Sequence, residues 1–121
     1  MEAAIPILRI FDEQKAMEHY VGFLGFRVDW THRFGDSFPL YAQISRERCV
    51  IHLSEHYGDA TPGSAIRVRT ADLDDFGREL RAKKYKHAKP GQPVDQPWGQ
   101  RELCITDPFG NRVIFCCEID R

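Results

Sequence analysis

The chain has 121 residues, 42% of them hydrophobic, with 17 Lys and Arg against 18 Asp and Glu and a formal net charge of −1. That length suits one domain able to bury its own core, and the charge balance excludes a predominantly electrostatic nucleic-acid binder. No apolar run reaches the roughly 18 residues that span a bilayer, and no charged n-region precedes an apolar stretch at the start, so the expectation is a soluble, cytoplasmic protein with no nucleic-acid or membrane partner.

In chain order, AIPILRIF (residues 4–11) reads as a buried strand, and Asp12 offers an N-cap for the helix EQKAMEHYVGFL. Met17, Tyr20, Val21 and Leu24 fall at helical spacing, with Gly25 placed to end the helix. FRVDWTHRF, LYAQIS and CVIHLS then read as three strands separated by GDSFP and RER. After the turn-rich EHYGDATPG, SAIRVRT reads as a strand and ADLDDFGRELRAKK as a helix with Leu73, Phe76 and Leu80 as its apolar stripe. YKHAKPGQPV, WGQRELCIT and NRVIFCCEI supply three further strands, the last two joined by the tight turn Asp107-Pro108-Phe109-Gly110.

The order strand, helix, three strands thus occurs twice, with Asp12 and Asp72 in equivalent places about sixty residues apart. The reading is an α+β fold, a single domain over residues 1–121 made of two βαβββ modules at about 4–54 and 63–118. Their curved mixed sheets surround a concave cleft. Cys49, Cys104, Cys116 and Cys117 lack C-x-x-C spacing and lie in strand-like runs, so they read as small buried hydrophobes. Phosphate-binding glycine loops, nucleophile elbows and paired catalytic carboxylates are absent.

FDEQKAMEHYVGFLGF, PWGQRE and TDPFGNRVIF together resemble the glyoxalase/bleomycin resistance proteins of the vicinal oxygen chelate superfamily, over essentially the whole chain, and in particular their bleomycin resistance-like branch. The resemblance implies that fold, and for the metal-dependent members a divalent ion held at corresponding strand positions. In this chain those positions fall on Ile5, His52, Gly63 and Ile114. Three of them have no lone pair to donate, so no metal, cofactor or catalytic residue is expected.

Alternation along the strands directs Arg9 and Arg67 to the cleft, each from the first strand of its module and at equivalent places in the repeat. Glu102 projects the same way and could pair with them. Trp30, Tyr41 and Trp98 supply flat surfaces with a polar handle, His52 a ligand contact, and Ile114 an apolar wall. His19, His32 and His87 read as surface residues, and Glu55, Asp59 and Glu118 as solvated charges. The resemblance implies a homodimer that sequesters a small molecule, either a bleomycin-like drug or an aromatic or anionic metabolite. The competing readings are a metal-dependent lyase or dioxygenase-like enzyme and a non-catalytic metabolite sensor.

Overall fold

A computed structural model describes residues 1–119 and resolves the chain into two compact units, Met1–Ser64 with Pro108–Asn111, and a second formed by the segments beginning at Ala65 and at Arg112. Each unit holds one open, four-stranded mixed sheet and one helical segment.

In the first unit β1 (Ile7–Arg9), β2 (Arg27–His32), β3 (Tyr41–Arg46) and β4 (Cys49–Ser54) lie in the order β1-β4-β3-β2, with β1 parallel to β4 and the other pairs antiparallel. Leu8, Ile10, Ala42, Ile44, Ile51 and Leu53 are buried on one face, as the period of two requires. The helical segment α1 (Glu13–Met17) starts on Asp12, whose carboxylate accepts a 2.8 Å hydrogen bond from the Lys15 amide as expected of an N-cap. It continues as a π-helical turn over Glu18–Phe23, closed by bonds such as Leu24 N–H to the His19 carbonyl. The wider turn buries His19, Tyr20 and Phe23 together, so His19, read as a surface residue, is a core residue set edge-on to Tyr20 and tilted against Phe23. An aromatic ring with only two polar atoms packs inside more readily than its titratable character suggests.

In the second unit β5 (Ala65–Arg69), β6 (Val94–Asp95), β7 (Gln100–Thr106) and β8 (Arg112–Glu118) repeat the order as β5-β8-β7-β6. Helix α2 (Leu73–Ala82) buries Leu73, Phe76 and Leu80, and Phe76 meets Phe115 of β8 at 4.7 Å between ring centres. Here Asp72 adopts a left-handed conformation and makes no side-chain cap. The strand expected from Tyr85 shrinks to Val94–Asp95, because Pro90 and Pro93 lack amide donors for a ladder. Cys116 is buried, but Cys104 is exposed, contrary to the reading of all four thiols as core.

The turn at Pro108–Asn111 belongs to the first unit. Asn111 is fully buried, donates 2.7 Å to the Arg9 carbonyl and accepts from the Ser64 amide, so it ties this turn to the end of β1. Gly110 has φ of 87° and its carbonyl lies against Gly63, itself at 81°; both positions are left-handed and favour glycine. Gly63 is therefore a loop residue that precedes β5, and Ile5 likewise precedes β1. The residue in register with His52 is Ile7, and the residue in register with Ile114 is Arg67.

That register corrects one expectation. Arg67 occupies in its unit the place that Ile7 occupies in the first, and the residue equivalent to Arg9, which pairs with Ser54, is Arg69, which pairs with Cys116.

Candidate functional site

The face of the first sheet opposite its core carries the side chains of Tyr41, Gln43 and Ser45 from β3 and of His52 from β4. The β2 edge has a bulge at Asp29: Val28 pairs with Ile44 and Trp30 with Gln43, leaving Asp29 as the extra residue. In a regular strand Asp29 and Trp30 would point to opposite faces. The bulge lets both engage the same row of β3 and β4 side chains.

Trp30 and Tyr41 stack with ring centres 6.0 Å apart and planes 14° from parallel, and the His52 ring stands edge-on to both. Below them runs a chain of hydrogen bonds whose direction is set by one charge. Asp29, with its carboxyl held below the usual carboxylate range by bonds from Ser45, then Gln43 and Arg27, only accepts. The Gln43 amide must therefore turn its NH₂ to Asp29 at 3.1 Å, which directs its oxygen at His52 Nε2, 3.0 Å away. His52 then carries its proton on Nε2 and receives the Tyr41 hydroxyl on Nδ1 at 2.7 Å. Burial, with the nearby Asp59 charge, pushes the Tyr41 phenol up, in keeping with a hydroxyl that stays protonated and donates. Both His52 nitrogens are engaged.

At the β1 edge Arg9 lies with its guanidinium 4.7 Å from the centre of the Phe11 ring and 6.0 Å from that of Tyr57. Its Nε is buried without a hydrogen-bond partner among the described residues. Glu55 and Asp59, read as solvated, instead staple loops: Glu55 accepts from the Leu40 amide and Asp59 from the Ser54 hydroxyl.

The second unit gathers the other expected residues. Arg67 meets Glu102 at 2.8 Å, and the Trp98 indole donates to the same carboxylate oxygen at 3.0 Å. Burial opposes ionisation of Glu102, but the bonds from Arg67 and Trp98 outweigh it and hold its carboxyl below the usual Glu value. Arg67 is correspondingly raised, first by its bond to Glu102. Its charge is spent on that carboxylate. Ile114 lies between Arg67 and Cys104 in the sheet register.

Of the expected residues, Trp30, Tyr41 and His52 thus form one group with Arg9 in the same unit, and Arg67, Trp98, Glu102 and Ile114 belong to the other. Sequence reasoning missed Gln43 and Asp29. Gln43 was reachable, two residues from Tyr41 on one strand; Asp29 was not, because nothing in VDWTH announces a bulge. Among the described residues no three His, Cys, Asp or Glu side chains converge to hold a metal ion.

Two open four-stranded mixed sheets, each with a parallel first strand and a helix after it, define the paired-module fold of small glyoxalase-like proteins. Residues 1–121 match the family described as glyoxalase superfamily protein, and the chain belongs to it. Its fold is similar to that of a bleomycin-binding protein complexed with bleomycin, at 19% identity over 98% of this chain and 100% of that one, with a TM-score of 0.78. It is similar too to the bleomycin resistance determinant encoded on transposon Tn5, at 18% identity, 98% coverage of both chains and a TM-score of 0.75. A third similar structure is TnmS3, an antibiotic-binding protein from Streptomyces sp. CB03234, with 21% identity, 98% coverage of both chains and a TM-score of 0.73. No curated protein sequence matches the chain.

Proposed function

We propose that this protein binds and sequesters a small planar molecule, a drug or a metabolite, without metal and without catalysis, and does so as a cytoplasmic homodimer. The observation that carries the reading is the Trp30–Tyr41 stack with His52 locked beside it: a flat aromatic surface in which both His52 nitrogens are held, one by the Tyr41 hydroxyl and one by Gln43. Such a surface suits stacking on an aromatic body. Fold relatives that bind bleomycin and another antibiotic support the ligand class.

A metal-dependent reaction would need His52 to give up Tyr41 or Gln43 and to find further ligands, and its neighbour in register on β1, Ile7, offers no lone pair. The charge of the ligand follows from the pairing of the arginines. With Arg67 engaged by Glu102, the half-buried Arg9 is the cation left to meet a carboxylate, so planar aromatic carboxylates are expected to bind better than bleomycin itself.

The test is a fluorescence titration of the Trp98→Phe protein, in which Trp30 is the only indole, with metal-free bleomycin and with a series of aromatic carboxylates. Saturable quenching that disappears in Tyr41→Ala is the expected result. No response to any of these compounds would sink the reading, and bleomycin binding indifferent to Arg9→Ala, with no carboxylate response, would refute the charge preference.

A further inference from the structure

We propose a second ligand site, for a small aromatic anion, at the C-terminal end of α2. The segment after the helix curls back alongside it, held by Arg81, whose guanidinium donates 3.0 Å to the Gly91 carbonyl. Lys84 takes a left-handed conformation at φ of 52°, which turns the chain out of the helix and lets Tyr85 and His87 pack edge to face at 5.5 Å. Between helix and loop lies a cavity of about 440 Å³, within the range of small-molecule sites.

Its walls divide by chemistry. Tyr85, Ala88 and Pro90 make an apolar floor over the fully buried Leu80. Arg81, Lys84, Lys86 and Lys89 supply four cations to the lining, which contains no carboxylate. The one acidic neighbour on the helix, Glu79, is turned to Lys83. No described carboxylate forms a salt bridge with Lys84, Lys86 or Lys89. Cations at a helix C-terminus are favourable in themselves, because the helix end carries about half a negative charge, but four exceed what that half charge offsets. In a chain of net charge −1 this concentration is local. An apolar floor under a cationic rim selects a ligand with a flat body and one anionic group, and its concavity and size favour a small molecule over a polyanion.

The experiment uses ¹⁵N-labelled protein titrated with phenyl phosphate, with inorganic phosphate, benzyl alcohol and a short single-stranded oligonucleotide run in parallel. Phenyl phosphate is expected to shift the amide signals of residues 80–90 saturably, more tightly than either half-molecule alone, and to weaken as salt is raised. Lys86→Gln with Lys89→Gln, both exposed, should weaken it at least about tenfold while the Trp30 titration is unchanged. Absence of shifts at these residues, binding of benzyl alcohol equal to phenyl phosphate, an unaltered affinity in the double variant, or a response to the oligonucleotide alone would each overturn the proposal.

Discussion

Asp29 shows how one charged side chain orders a surface. Because an ionised carboxylate cannot donate, it fixes the Gln43 amide, Gln43 fixes the His52 tautomer, and His52 fixes the Tyr41 hydroxyl proton, so the Tyr41 oxygen keeps its lone pairs for whatever approaches. Gln43→Leu removes the middle of the chain. It is expected to cost about 1 kcal/mol in urea unfolding and to erase the single-tautomer ¹⁵N signature of His52 while the sheet remains folded. The pH dependence follows from the lowered carboxyl. Since the folded value lies below the unfolded one, the stabilisation from Asp29 is complete above the ordinary Asp value of 3.8 and is lost as pH falls through the lower folded value. Asp29→Asn should therefore be less stable than the native protein at neutral pH, with the gap narrowing as pH falls below 3.8; a constant gap would contradict the assignment.

At the scale of elements, the strands over residues 41–46, 49–54, 100–106 and 112–118 were legible because their apolar residues alternate on a half-buried face. Two features were not. The π-helical turn over Glu18–Phe23 and the bulge at Asp29 each insert one residue into a regular pattern, and periodicity has no marker for an insertion. The loss of most of the expected strand before Val94 reflects missing amide donors, which the prolines did announce. The DPFGN turn was legible as a turn, but its role as a clasp on β1 depends on Asn111 reaching a carbonyl 102 residues away. Asn111→Ala removes the partner of the part-buried Arg9 carbonyl and Ser64 amide, so a loss of about 2 kcal/mol is expected from thermal or urea unfolding. Gly110→Ala should add about 1 kcal/mol through its left-handed backbone.

For the whole molecule, no helix among the described residues is long and apolar enough to cross a membrane. The proposed homodimer would cover sheet edges that each unit leaves unpaired, β1 and β2 in the first and β5 and β6 in the second, with Val28 and Trp30 exposed on β2. Sedimentation should give a dimer at micromolar concentration; a stable species near 14.0 kDa would refute it. Elemental analysis of the purified protein should find no stoichiometric zinc, nickel or iron. About one equivalent that is lost in His52→Ala would replace the binding reading with the metalloenzyme one.

By itself the sequence determined the repeat and the strand and helix order of both modules, because these depend on local periodicity. Tertiary structure alone decided which residues meet. Arg67 aligns with Ile7 and not with Arg9, because strand register is set by pairing across the sheet, where a shift of two residues keeps every side chain on its face and so leaves no trace in the alternation. The same holds for the charges: Arg9 and Arg67 look alike in sequence, and only the fold gives one of them a carboxylate at 2.8 Å and leaves the other beside aromatic rings.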